Sequence, residues 1–134
     1  MHDLISTLKQ QHETVREILD KMRDPYNSLQ KRQELFESFR ELIISHIDTE
    51  DNHLYTELYG LAENNNRLQR KLETFANKWE EISQFVKYYF EKYQENQNSK
   101  EFINDTVKLT TNLKYRMMQE EIGLFPEFEK LSQS

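Results

Sequence analysis

The chain has 134 residues, of which 36% are hydrophobic and 31% charged, and its formal net charge is −6. This length suits one domain covering residues 1–134. The acidic balance and the lack of a Lys/Arg block disfavour nucleic acid or an anionic membrane as a partner. The absence of cysteine excludes disulfides, thiolate metal sites and cysteine nucleophiles. Two glycines and two prolines are too few for the turns of a sheet-rich fold, so we expect long helices.

Apolar residues at steps of three and four predict a first helix, which stops at Asp24 and Pro25. The side chains on its apolar face are Ile5, Leu8, His12, Val15, Leu19 and Met22. Asn27 and Ser28 offer an N-cap for a second helix. The corresponding face of that helix contains Leu35, Phe36, Phe39, Leu42, Ile43, His46, Glu50, Leu54 and Leu58.

Three asparagines at 64–66 form the clearest break in the chain and precede a third helix. Its apolar face contains Leu68, Leu72, Phe75, Trp79, Ile82, Phe85, Val86 and Tyr89. A polar loop over 95–99 leads to Ser99, where a fourth helix begins. That helix carries Val107, Leu109, Leu113, Met117 and Glu120 and then meets Gly123 and Pro126.

Short loops make consecutive helices antiparallel neighbours. Four helices, each with one apolar face (here called its stripe), therefore predict an all-α, up-down-up-down four-helix bundle. No signal peptide or membrane span is visible at the N-terminus or beyond, and a cytoplasmic protein is expected.

The fourth helix repeats the apolar pattern of the second helix, and the third repeats that of the first. Arg116 aligns with His46, and Glu120 aligns with Glu50. In the other pair of helices Trp79 aligns with His12. The core positions therefore match in both copies, while the histidines occur in only one of them.

The histidines and glutamates on these stripes form a candidate metal site. His46 and Glu50 are four residues apart, so both project from one helix face. Burying Glu50 and Glu120 costs several kcal/mol unless cations pair with them. A metal ion held by His12, His46, Glu50 and Glu120 would supply that charge, and imidazoles with carboxylates suit non-haem iron.

Two further histidines are weaker candidates. His53 lies seven residues after His46 and is a reserve ligand, although a surface position is favoured because Gly123 stands at the aligned place. His2 is expected to lie in a frayed terminus.

Three segments resemble the hemerythrin-like, or HHE cation-binding, family. They read Q-Q-H-E-T-V-R-E-I-L around His12, H-I-D-T-E-D before Leu54, and E-E-x-x-L-F-P from Glu120. The resemblance implies a four-helix bundle around a non-haem di-iron centre. It assigns His12 and His46 to the iron with an open position, and Glu50 and Glu120 to the bridging carboxylates.

The resemblance also implies a degenerate site. The histidine positions of the other iron, on the third and fourth helices, read Trp79 and Arg116. We expect Trp79 to fill the core, and Arg116 to point inward and bond the carboxylates where a second ion would stand. The chain should therefore hold at most about one metal ion.

Three functions remain open. The first is a metal-binding module with a sensing or regulatory role, which is not an enzyme. The second is a metal-free bundle that binds a protein partner, as sigma-factor-binding regulators of the Rsd/AlgQ type do, with Tyr88, Tyr89, Phe90 and Tyr93 as a possible partner surface. The third is a metal-dependent enzyme of oxygen or peroxide chemistry. Metal content separates the first from the second, and reaction with peroxide separates the first from the third.

Overall fold

Four long helices make up the protein in a computed structural model that describes residues 3–132. The first helix is Asp3–Met22 and the third is Asn66–Lys92. The second helix consists of Leu29–Thr49, a π-helical segment Glu50–Tyr55, and Thr56–Ala62. The fourth consists of Lys100–Gln119, a π-helical segment Glu120–Leu124, and Phe125–Ser132. The predicted four-helix bundle is confirmed, and His2 lies outside the described residues.

The helix starts follow the capping signals of the sequence. The side chain of Ser28 accepts a hydrogen bond from the Lys31 amide, and that of Ser99 accepts one from the Phe102 amide. Asn65 does the same for the third helix. Each cap satisfies an amide that has no partner within its own helix, so these loops have defined ends.

The fourth helix does not end where Gly123 and Pro126 stand. The amide of Phe125 instead bonds the carbonyl of Glu120, five residues back, which widens the turn. A π turn of this kind accommodates a proline, which lacks the amide that a regular helix needs. The helix therefore continues to Ser132.

Two apolar clusters fill the bundle, one towards each end. The larger one surrounds Phe36, Phe39 and Tyr89, and the smaller one surrounds Leu58 and Phe128. Along the first, second and fourth helices the two clusters are separated by the level at which His12, His46, Glu50 and Glu120 lie, whereas Trp79 on the third helix belongs to the larger cluster. A polar layer thus crosses the middle of an otherwise apolar core.

Two details of the predicted core are wrong or incomplete. Val107 is 45% exposed, and Thr106 and Thr110 are buried in its place with their hydroxyls bonded to backbone carbonyls one turn back. These internal bonds let a threonine occupy a buried position.

Of the four neighbouring aromatic residues at the end of the third helix, Tyr88, Tyr89, Phe90 and the following Tyr93, only Tyr88 is exposed. The predicted aromatic partner surface is reduced to that side chain. Among residues 3–132 there is also no helix with the length and apolar character needed to span a membrane.

Candidate metal centre

Four buried polar side chains meet in the middle of the bundle. The first helix supplies His12, the second supplies His46 and Glu50, and the fourth supplies Glu120. His12, Glu50 and Glu120 are 0% exposed and His46 is 3% exposed. The structure therefore brings all four predicted ligands together, and their role as metal ligands stays a prediction.

One atom from each of these residues faces the same point, and the four atoms lie within 4.8 Å of one another. His12 Nε2 is 3.2 Å from Glu120 Oε1 and 3.5 Å from Glu50 Oε2, and His46 Nε2 is 3.2 Å from the same Glu50 oxygen. Neighbouring ligands of an ion bound at about 2.1 Å stand roughly 3.0–3.4 Å apart. None of the four atoms makes a hydrogen bond of acceptable geometry within the described chain. The residues present therefore fit one metal ion.

The outer nitrogen of each imidazole is held by a side chain that the sequence reasoning missed. His12 Nδ1 lies 2.7 Å from Glu121 Oε2, and His46 Nδ1 lies 2.7 Å from Gln11 Oε1. Arg16 donates to the other oxygen of Glu121 at 2.8 Å. A proton on Nδ1 leaves the Nε2 lone pair free to face the ion, which is how ligand histidines are commonly oriented.

The far oxygens of the two carboxylates are bound by Arg116. Its Nη2 donates to Glu50 Oε1 at 3.1 Å, and its Nε donates to Glu120 Oε2 at 3.3 Å. Arg116 is 5% exposed, so it points inward as expected. Each carboxylate thus turns one oxygen to the candidate metal position and the other to a guanidinium.

Trp79 closes the place where a ligand from the third helix would stand. It is 7% exposed, stacks on Phe75 with ring centroids 4.9 Å apart, and has the Arg116 guanidinium carbon 5.5 Å from its ring centroid. Its Nε1 donates to the Tyr55 hydroxyl at 2.7 Å, and that hydroxyl donates to Glu120 Oε2 at 2.5 Å. The second half of the site therefore holds a cation and a hydrogen-bonded aromatic pair.

The electrostatics of the metal-free site leave a proton at the candidate metal position. Burial disfavours a charge on His12, but the nearby carboxylates of Glu120 and Glu50, at 3.2 and 3.5 Å from its Nε2, outweigh this and raise the pKa of His12 to about 9. Burial, together with the charge of Glu50, raises the pKa of Glu120. Burial also opposes ionised Glu50, yet His12, His46 and Arg116 outweigh it and lower the pKa of Glu50. In the absence of an ion, His12 and Arg116 are the cationic groups that face the two carboxylates.

Metal affinity should therefore depend steeply on pH. His12 is protonated below about pH 9 in the metal-free protein, and an ion needs the neutral imidazole. The apparent association constant should rise about tenfold per pH unit from pH 7 to 9 and then level off. Chelator-competition titrations across this range would measure the slope. An affinity that does not change between pH 7 and pH 9 would contradict the assignment of His12 as a metal ligand.

His53, the reserve ligand, lies on the surface and outside the cluster. The reason is the π-helical segment that begins at Glu50, which puts more residues into a turn than an α-helix does. Leu54 turns to the core in its place and is 0% exposed. The spacing of seven from His46 would have placed His53 inward only in a regular helix.

The internal repeat predicted from the sequence extends to this backbone feature. The two π-helical segments begin at the aligned residues Glu50 and Glu120, and the aligned Leu54 and Leu124 are both 0% exposed. π turns within α-helices frequently mark functional sites. Here both begin at a candidate ligand.

The fold and the site together define a helical-bundle protein with a buried His/Glu cluster that could hold a metal. The model of the hemerythrin HHE cation-binding domain matches residues 3–128. The chain belongs to this family. No curated protein and no solved structure matches the chain.

Proposed function

We propose that the protein binds one divalent ion, preferably iron, and acts as a sensing or regulatory module rather than as an enzyme. The observation that carries this proposal is the convergence of His12 Nε2, His46 Nε2, Glu50 Oε2 and Glu120 Oε1, which are buried and lack good hydrogen bonds. Two imidazoles with carboxylates and free coordination positions suit ferrous iron. Arg116 occupies the side on which a second ion would sit.

The surroundings of the site favour a small ligand over an organic substrate. A void of about 10 Å³ adjoins Glu50, Glu120 and Arg116. Its apolar walls are Ile43, Ile47, Leu113 and Met117. Such a volume is near the lower limit for a single water molecule. When bound, iron would offer a coordination position for a diatomic molecule, which supports sensing rather than turnover.

A metal-free protein-binding bundle is the second candidate. It is favoured by the polar contacts of the site, in which His12 and Arg116 are already the cationic partners of Glu50 and Glu120. The buried charges of this network therefore have partners without a metal ion.

Elemental analysis separates the two candidates. Protein purified without chelator or nickel resin and reconstituted with ferrous iron under argon should contain about one iron per chain. Absence of tight binding would favour the metal-free bundle. Catalytic consumption of added hydrogen peroxide by the loaded protein would favour an enzyme instead.

Restoring the missing histidines should raise the metal content. The double variant Trp79→His/Arg116→His removes the blocking indole and guanidinium and adds two imidazoles, so it should bind more metal than the parent. Asp51, which aligns with Glu121, lines the cleft beside Trp79 and could hold the new imidazole. Arg116→His alone is the matched control and should stay at about one ion, because Trp79 remains. Two tightly bound ions in the parent would contradict the proposal.

A further inference from the structure

A cleft between the second and third helices opens from solvent onto the second half of the site. Its volume is about 190 Å³. This is many times the roughly 10–15 Å³ that a single water needs, and less than the roughly 300–1,000 Å³ of pockets for drug-sized ligands. The side chains that matter here are Asp51, Tyr55, Phe75, Trp79, Glu80 and Arg116. The cleft suits a molecule of a few non-hydrogen atoms.

The inner end of the cleft offers an unused hydrogen-bond donor. Arg116 donates from Nη2 to Glu50 and from Nε to Glu120, and within residues 3–132 no acceptor bonds its Nη1. The side chain is only 6% exposed. Nη1 is not one of the fully buried, unbonded atoms of the described chain, so water in the cleft can reach it. A ligand that displaces this water should present an acceptor oxygen to Nη1.

The outer part of the cleft is lined by negative charge. Asp51 and Glu80 are exposed lining residues, and neither forms an ion pair with any described residue. Together they repel a simple anion and attract a cationic group. Between the two ends stand the aromatic walls of Tyr55, Phe75 and Trp79, against which a short carbon chain can pack.

We propose that this cleft binds a small zwitterion of the amino-acid class. Its carboxylate accepts from Arg116 Nη1 and its ammonium group lies beside Asp51 and Glu80. A donor at the floor and two carboxylates at the rim match a molecule that carries both charges, and disfavour a molecule that carries either charge alone. The cleft adjoins the candidate metal position but uses none of the four proposed metal ligands.

The test is a titration of the chelator-treated full chain, followed by the fluorescence and the indole N–H resonance of Trp79, the single tryptophan of the chain. The probes are glycine, β-alanine and γ-aminobutyrate, with acetate and methylammonium as singly charged controls. At least one zwitterion should give a saturable change and bind about tenfold more tightly than either control. Equal binding of acetate, or no saturable change with any zwitterion at tens of millimolar (roughly the weakest affinity worth assigning), would overturn the proposal.

Three variants locate the binding. Asp51→Asn/Glu80→Gln should weaken the zwitterion about tenfold, and Ala76→Leu should abolish binding because its side chain would fill the cleft. Glu81→Gln is the matched control, since Glu81 is exposed on the same helix and does not line the cleft. Unchanged affinity in the first two variants would overturn the location. Because the protein is metal-free throughout, failure here is distinct from failure of the metal proposal, which elemental analysis decides.

Discussion

Arg116→Met should lower the free energy of unfolding by about 3–5 kcal/mol at neutral pH, because it removes one partner from a buried ionic network. The guanidinium bonds the far oxygens of Glu50 and Glu120, both 0% exposed. After the substitution, Tyr55 still donates to Glu120, but the far oxygen of Glu50 has no donor among the described residues. Urea denaturation of the metal-free protein, followed by circular dichroism, would measure the loss.

The matched control is Arg70→Met on the exposed face of the third helix. Arg70 forms no ion pair with a described residue, so its substitution should change the free energy of unfolding by about 0.5 kcal/mol or less. If Arg116→Met were as stable as Arg70→Met, the guanidinium would not be the charge that stabilises the two carboxylates. The single metal site could still be real in that case.

His46→Ala should abolish tight metal binding and leave the helical fold intact. It removes one of the four convergent atoms, and His12 alone cannot supply the second imidazole. The fold should survive because two apolar clusters, rather than the ion, fill the bundle on either side of the site. Metal content after ferrous reconstitution and the circular dichroism spectrum are the two measurements.

His53→Ala provides the control for this experiment, since His53 is an exposed histidine on the same helix. It should bind as much metal as the parent, with an unchanged spectrum. Metal retained in His46→Ala but lost in His53→Ala would reverse the assignment of the two histidines and contradict the geometry of the cluster.

Local sequence determined the helices and most of their buried faces. The helices were predicted from local features of the sequence, which are apolar residues at steps of three and four, capping serines and a near-absence of glycine and proline. Such features depend only on residues close together in the chain, so no structure is needed to interpret them. The alignment of Arg116 with His46 and of Glu120 with Glu50 belongs to the same class of information. Together with the place of His12 on the apolar face of the first helix, it predicted that His12, His46, Glu50 and Glu120 form one site.

Side chains that touch the site from beside the ligands could not be predicted from the stripes. Gln11 and Glu121 are adjacent in sequence to His12 and Glu120, and adjacent helical residues point about 100° apart. They reach the site only because another helix lies next to them, as the contacts His46–Gln11 and His12–Glu121 show. The adjacent pairs Gln11–His12 and Glu120–Glu121 were the available signal. For Tyr55 the signal was a phenol aligned with Phe125.

Tertiary structure decided two further matters. The sequence already favoured a surface position for His53 and an inward one for Leu54, but the π-helical segments at Glu50 and Glu120 that produce this arrangement have no counterpart in a single-helix periodicity. Each carboxylate has one oxygen facing the imidazoles and the other facing Arg116. This orientation depends on three helices meeting at one level. Helical spacing fixes which residues share a face of one helix, whereas only packing between helices fixes which atoms of different helices meet.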